Sequence, residues 1–151
     1  MKRLEEGIGF NISRLARILK SNWSETIADL GITPPHAAIL RTIYEANGEI
    51  GLREVARRLR ADPMNVKRGI DFLEDAGMIS SSVSERGRPR FISLTASGVE
   101  TAVELIDRIT SQEKRFEECL TKEEINELSS TLGKVQGYLD SLNSKRDNFE
   151  S

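Results

Sequence analysis

A chain of 151 residues, 38% hydrophobic and 30% charged, has the size and composition of one globular domain or one module with an appendage. No run approaches the roughly 18 uninterrupted apolar residues of a spanning helix, and Cys119, the sole cysteine, excludes an internal disulfide. The net charge of −2 hides an asymmetry: residues 53–90 carry nine basic side chains against six acidic (+3), residues 91–151 seven against twelve (−5), and residues 1–52 six of each. A local positive field in an acidic chain points to a polyanionic partner for the middle segment.

The first predicted helix places Leu4, Ile8, Ile12, Leu15, Leu19, Trp23, Ile27 and Leu30 in steps of three and four, one stripe along a long helix stopped by Gly31. Thr33 is set to cap a second helix with Pro34 in its first turn. Ala37, Ile39, Leu40, Ile43 and Tyr44 fill that helix, and Asn47-Gly48 ends it; the isolated Ile50 reads as a one-residue strand. Leu52, Val55, Ala56 and Leu59 make a short third helix. Asp62 as N-cap and Pro63 at the first helical position open a fourth, lined by Val66, Ile70 and Leu73 and closed by Gly77. Residues 78–83 and 90–94 read as the strands of a hairpin whose turn, Glu85-Arg86-Gly87-Arg88-Pro89, is basic. Thr95 caps a fifth helix, and Thr121-Lys122-Glu123-Glu124 forms a capping box for a sixth. In that last helix Ile125, Leu128, Leu132, Val135, Leu139 and Leu142 step alternately by three and four, a seam of the coiled-coil type.

Two short helices across a tight turn, followed by a hairpin with a cationic tip, make a winged helix-turn-helix within a mainly α fold of six helices and a small β-wing. A helix of this kind fits the major groove of duplex DNA, and a flanking hairpin reaches the next minor groove or its phosphates. Turning about 100° per residue away from Val66, Ile70 and Leu73 places Met64, Arg68, Asp71 and Asp75 on the opposite face, with Asn65 and Lys67 on its flanks. The expected DNA-facing set is Arg53, Met64, Asn65, Lys67, Arg68, Arg86, Arg88 and Arg90. The seam of the sixth helix (Leu128, Leu132, Val135, Leu139, Leu142) and the start of the first (Leu4, Ile8, Ile12) have little else to bury against in so short a chain, so a twofold dimer is expected through them. The chain accordingly divides into a dimerisation helix (1–32), a winged helix-turn-helix (33–98), C-terminal dimerisation helices (99–145) and a frayed tail (146–151).

The run Ile32-Thr33-Pro34-Pro35-His36-Ala37-Ala38-Ile39-Leu40-Arg41, then Leu73-Glu74-Asp75-Ala76-Gly77-Met78-Ile79, then Leu94-Thr95-Ala96-Ser97-Gly98, is similar in order and spacing to the MarR family of transcription regulators. The similarity extends over nearly the whole chain. It implies a homodimer whose first, fifth and sixth helices interlock, carrying two lobes that read a pseudo-palindromic double-stranded DNA site, with repression by promoter occupancy. It also implies a small aromatic or phenolic effector in a pocket between dimer region and DNA lobe, for which Phe10, Trp23 and Tyr44 are the aromatic candidates; the alternative reading of these three is that they are core residues at helical spacing.

The chain departs from the family in the wing. Arg88 matches the family's wing arginine, whereas Arg86 stands where an aspartate is common, leaving Glu85 to orient Arg88. Arg86-Gly87-Arg88-Pro89 also resembles the core of an AT-hook, in which glycine permits close approach and two arginines enter a narrow A·T-rich minor groove. Two readings stay open: both arginines enter that groove, or both touch phosphate only.

Other chemistry is poorly supplied. His36 is the single histidine and reads as a surface or interface residue; with no ligand-like spacing, neither a metal nor any other cofactor is expected. Cys119 reads as a small half-buried hydrophobe, and Glu117 and Glu118 disfavour a reactive thiolate. No nucleophile–base pair or Gly-rich phosphate loop is present, so an enzyme is not expected. The polar start Met1-Lys2-Arg3-Leu4-Glu5-Glu6 does not read as a secretory signal, and cytoplasmic location without membrane association is expected. The competing function is a winged-helix protein–protein module without DNA readout, which would lack the salt dependence of phosphate binding.

Overall fold

The computed structural model describes residues 3, 7–82 and 90–147, with side chains as far as Asn143. The chain divides into two compact units, Met1–Arg108 and Ile109–Ser151. The elements in order are α1 (Ile8–Ile27), a 3-10 turn (Ala28–Leu30), α2 (Pro34–Ala46), β1 (Ile50–Gly51), α3 (Leu52–Leu59), α4 (Pro63–Asp75), β2 (Ile79–Ser81), β3 (Phe91–Leu94), α5 (Ala96–Cys119) and α6 (Lys122–Asp147).

The first unit owes its core to residues that share faces across these elements. Ile27 at the end of α1, Leu40 and Ile43 of α2, Val55 of α3, Ile70 and Leu73 of α4, Ile92 of β3 and Leu105 of α5 are essentially without solvent exposure. Trp23, Leu30, Leu52, Leu59, Met78 and Leu94 pack around them. The α1 stripe therefore changes role along its length. Trp23 and Ile27 join the core, while Ile8, Ile12 and Leu15 stay 76, 40 and 50% exposed.

Ile50, expected as an isolated strand residue, pairs with Ile92 and makes β1 the third strand of a sheet ordered β1-β3-β2. The β2–β3 pair is antiparallel, with Ile79 opposite Leu94 and Ser81 opposite Ile92. Alternation explains the register: Ile79 and Ile92 point into the core while Ser80 and Phe91 point out.

Two joints hold α4 in this frame. At its C-terminal end the Met78 N–H donates to the Leu73 carbonyl and the Gly77 N–H to the Glu74 carbonyl, both at 2.9 Å. Gly77 adopts φ +76°, a left-handed stop that a side chain would strain. The Thr95 hydroxyl then donates to the Gly77 carbonyl at 2.6 Å and accepts the Gly98 N–H at 3.1 Å, tying the end of α4 to the start of α5. A Cβ on Gly98 would lie 2.0 Å from the Met78 carbonyl oxygen, so only glycine fits this crossing.

In the second unit Thr121 and Glu124 form the expected capping box: the Thr121 N–H donates to the Glu124 carboxylate at 2.9 Å, and the Glu124 N–H to the Thr121 hydroxyl at 3.2 Å. Leu128, Leu132, Val135, Leu139 and Leu142 remain between 39 and 52% exposed. Cys119, expected half-buried, is exposed at the last turn of α5, where its thiol donates to the Phe116 carbonyl.

Candidate nucleic-acid interface

The first turn of α4 is built by its cap. Asp62 stands in extended conformation and one of its carboxylate oxygens accepts the N–H groups of Met64 (2.9 Å) and Asn65 (3.1 Å). With Pro63 in the first position, the helix starts sharply and its leading residues face outward. Met64 is 62% exposed, and Asn65, Lys67 and Arg68 are exposed beside it. The Arg68 guanidinium donates to the Asn65 side-chain oxygen, which holds the two as one fork. Lys67 donates to Asp71 at 2.7 Å.

On the other side of the helix Gly69 is buried: a Cβ there would meet the Ile39 side chain at 2.5 Å. The small residue lets α2 and α4 approach closely, and next to it the His36 ring stacks on Phe72 with centroids 4.2 Å apart and an interplanar angle of 4°. His36 Nδ1 accepts the Thr33 N–H at 3.3 Å, in the position a capping box normally gives to glutamate or glutamine. Burial pushes the imidazole below its ordinary value, which favours its neutral form. The sequence signal for this was the His36 spacing from Thr33; the stack with Phe72 has no local signal.

Arg53, at the start of α3, is exposed. Next to it, Glu54 accepts from Arg57 and Arg58 at 2.7–2.8 Å. Arg57 and Arg58 pull its carboxyl down to about 2. Arg90 differs from the expected outward cation. Its guanidinium turns onto α4, donating to Asp71 at 2.9 Å and Glu74 at 2.5 Å, while Nε donates to the Ser81 hydroxyl at 3.0 Å. The physical reason is that Asp71 and Glu74, three residues apart on one helix face, offer the paired acceptors that a guanidinium fork matches. Lys67 first and Arg90 second hold the Asp71 carboxyl below the usual range. Arg86, Arg88 and Leu4 lie outside the described residues.

A cleft of about 490 Å³ opens among Ile43, Tyr44, Asn47, Gly48, Ser93, Leu94 and Val99. Its walls are aliphatic, with a phenol, an amide and a hydroxyl among them. Tyr44 lines it, whereas Trp23 packs against the core instead. Among the described residues no three His, Cys, Asp or Glu side chains gather as a metal site, and no helix is long and apolar enough to cross a membrane.

Residues 32–88, which include α2, α3, α4 and β2, match the MarR family model. The HTH-type transcriptional repressor Rv2887 of Mycobacterium tuberculosis is 28% identical over 128 residues, covering 76% of this chain and 91% of the repressor. The chain is similar to MarR-family transcriptional regulators over this central span. The winged-helix architecture agrees with solved MarR-type structures. The MepR–DNA complex of S. aureus superposes with a TM-score of 0.80 at 19% identity, over 91% of this chain and 99% of that one. CouR from Rhodococcus jostii RHA1, bound to p-coumaroyl-CoA, gives 0.77 at 21% identity, over 89% and 95%.

Proposed function

We propose that this MarR-type regulator is a repressor that occupies a pseudo-palindromic operator in double-stranded DNA as a homodimer, in the cytoplasm. The observation that carries this reading is the outward first half of α4, where Met64, Asn65, Lys67 and Arg68 stand exposed on a helix whose opposite face is sealed. An apolar contact, an amide and two cations on one narrow helix match the methyl groups, donors and acceptors of a major groove. The MepR neighbour, solved with DNA, has the same fold. Dimerisation is supported by the apolar residues left exposed on α1 and, separately, on α6. Arg53, exposed at the start of α3, is assigned a phosphate contact, and Arg86 and Arg88, outside the described residues, are assigned the remaining cationic contacts.

The effector is a small aromatic or phenolic compound. The cleft beside Tyr44 has the size and the mixture of aliphatic wall and few polar groups such a ligand needs, and CouR carries a coumaroyl ligand on the same fold. The test is selection of bound sequences from a pool of random duplexes. An inverted repeat with half-sites about one helical turn, ~34 Å, apart is the expected result. Recovery of no common sequence from the full chain in low salt would end the reading.

A further inference from the structure

The sheet base and α4 are joined by a polar cluster that neither the fold's core nor a DNA-facing role explains. Arg90 immediately precedes β3, and its side chain is only 24% exposed. Its hydrogen bonds run sideways: Nη1 to Asp71, Nη2 to Glu74, Nε to Ser81 at the end of β2. Glu74 closes the ring by accepting the Ser81 N–H at 3.2 Å with its other oxygen. Asp71 reaches outward again to Lys67. The chain of partners therefore runs from an exposed cation of α4, through two carboxylates, to the end of β2 and the residue that leads into β3.

Resting on the DNA-binding reading, we infer that Arg90 is a positioning residue: it braces the hairpin against α4 so that helix and wing meet the duplex at a fixed angle, and it does not itself contact phosphate. Two physical effects combine. The guanidinium has a planar fork that satisfies two carboxylates and one hydroxyl together, which a point-charge ammonium does not reproduce. It also neutralises Asp71 and Glu74, two anions that would otherwise face the polyanion close to Lys67 and Arg68.

The experiment measures duplex affinity against salt for wild type, Arg90→Lys, Arg90→Gln and Glu74→Gln, using a duplex recovered by selection or, failing that, a random-sequence duplex. Amide exchange of Ser81 is followed in the free protein. The brace predicts that Arg90→Lys and Arg90→Gln each lose affinity by about tenfold, within the range of network couplings, with the log-salt slope unchanged. It also predicts faster Ser81 exchange in Arg90→Gln and in Glu74→Gln. Glu74→Gln cuts the brace from the helix side and keeps the test open should Arg90→Gln not fold. The inference is overturned if Arg90→Lys keeps wild-type affinity while Arg90→Gln lowers the slope by about 1, the signature of one lost phosphate contact. It is overturned equally if Arg90→Gln binds as wild type does. Should wild type bind no duplex, the DNA reading fails on its own; Ser81 exchange then decides the brace, faster in the variants supporting it and unchanged rejecting it.

Discussion

Helices α4 and α6 carry apolar stripes of the same kind, yet they meet opposite fates. In α4 the residues Val66, Gly69, Ile70 and Leu73 are buried, with Ile70 and Leu73 fully so. In α6 the equivalent stripe, Leu128, Leu132, Val135, Leu139 and Leu142, is 39 to 52% exposed. A period of 3.6 says that a helix has a face to cover but not whose atoms cover it. For α4 the cover is this chain's own α2, α3 and sheet; for α6 the homodimer reading assigns it to a second copy.

The largest effect that separates the two comes from truncating the sealed stripe. Leu73→Ala leaves a void among Ile70, Ile92 and their neighbours and is expected to cost ~2–5 kcal/mol in denaturant unfolding. A cost under about 1 kcal/mol would mean that the site collapses or that the packing is otherwise. The matching change in α6, Leu132→Asp with Leu139→Asp, is expected to raise the dimer dissociation constant by more than about tenfold, equivalent to ~1.4 kcal/mol, while the circular dichroism of the first unit persists. Sedimentation at several concentrations reads this directly. A variant that sediments like wild type places the dimer contact elsewhere.

A third substitution sharpens the contrast within α4. Arg68→Ala is expected to leave unfolding within ~0.5 kcal/mol of wild type but to weaken operator binding by ~1–3 kcal/mol if it reads a base. Equal weakening on operator and random duplex assigns it to phosphate. The smallest effect concerns the α2–α4 contact. His36 is held below its ordinary 6.5 by burial, so the unfolded chain binds the proton more readily. Its contribution to stability is present above 6.5 and is lost as the pH falls through that value toward the lower folded one. Protonation also removes the lone pair that accepts the Thr33 N–H. Wild type should therefore melt lower as the pH drops below 6.5, with His36→Gln showing a flatter profile; identical profiles would rule the imidazole out.

Much of this was legible because the decisive signals are local. Asp62-Pro63, Gly77, Thr95 and Thr121 to Glu124 announce helix ends through side-chain and backbone chemistry confined to a few residues, and the structure has each in that role. Met64, Asn65, Lys67 and Arg68 followed from the helical period once Val66, Ile70 and Leu73 were turned inward. What sequence reading missed depends on chain segments brought together only by folding. Arg90 lies 19 residues from Asp71 and 16 from Glu74, so its composition reads as one more exposed wing cation. The His36–Phe72 stack likewise spans two helices. β1 was underestimated because a two-residue strand is defined by its partner, Ile92, rather than by its own pattern.

The way α4 is fastened has a consequence for how such a protein changes over time. Its tail is riveted through Gly77, Thr95 and Gly98, whereas its head starts at the Asp62 cap and turns Val66 and Gly69 inward. On the DNA-binding reading, residues that discriminate among targets and residues that keep the lobe intact thus occupy opposite faces of the same helix. Positions 64, 65, 67 and 68 can be randomised together to retarget the protein, and the resulting library should stay folded while its preferences drift.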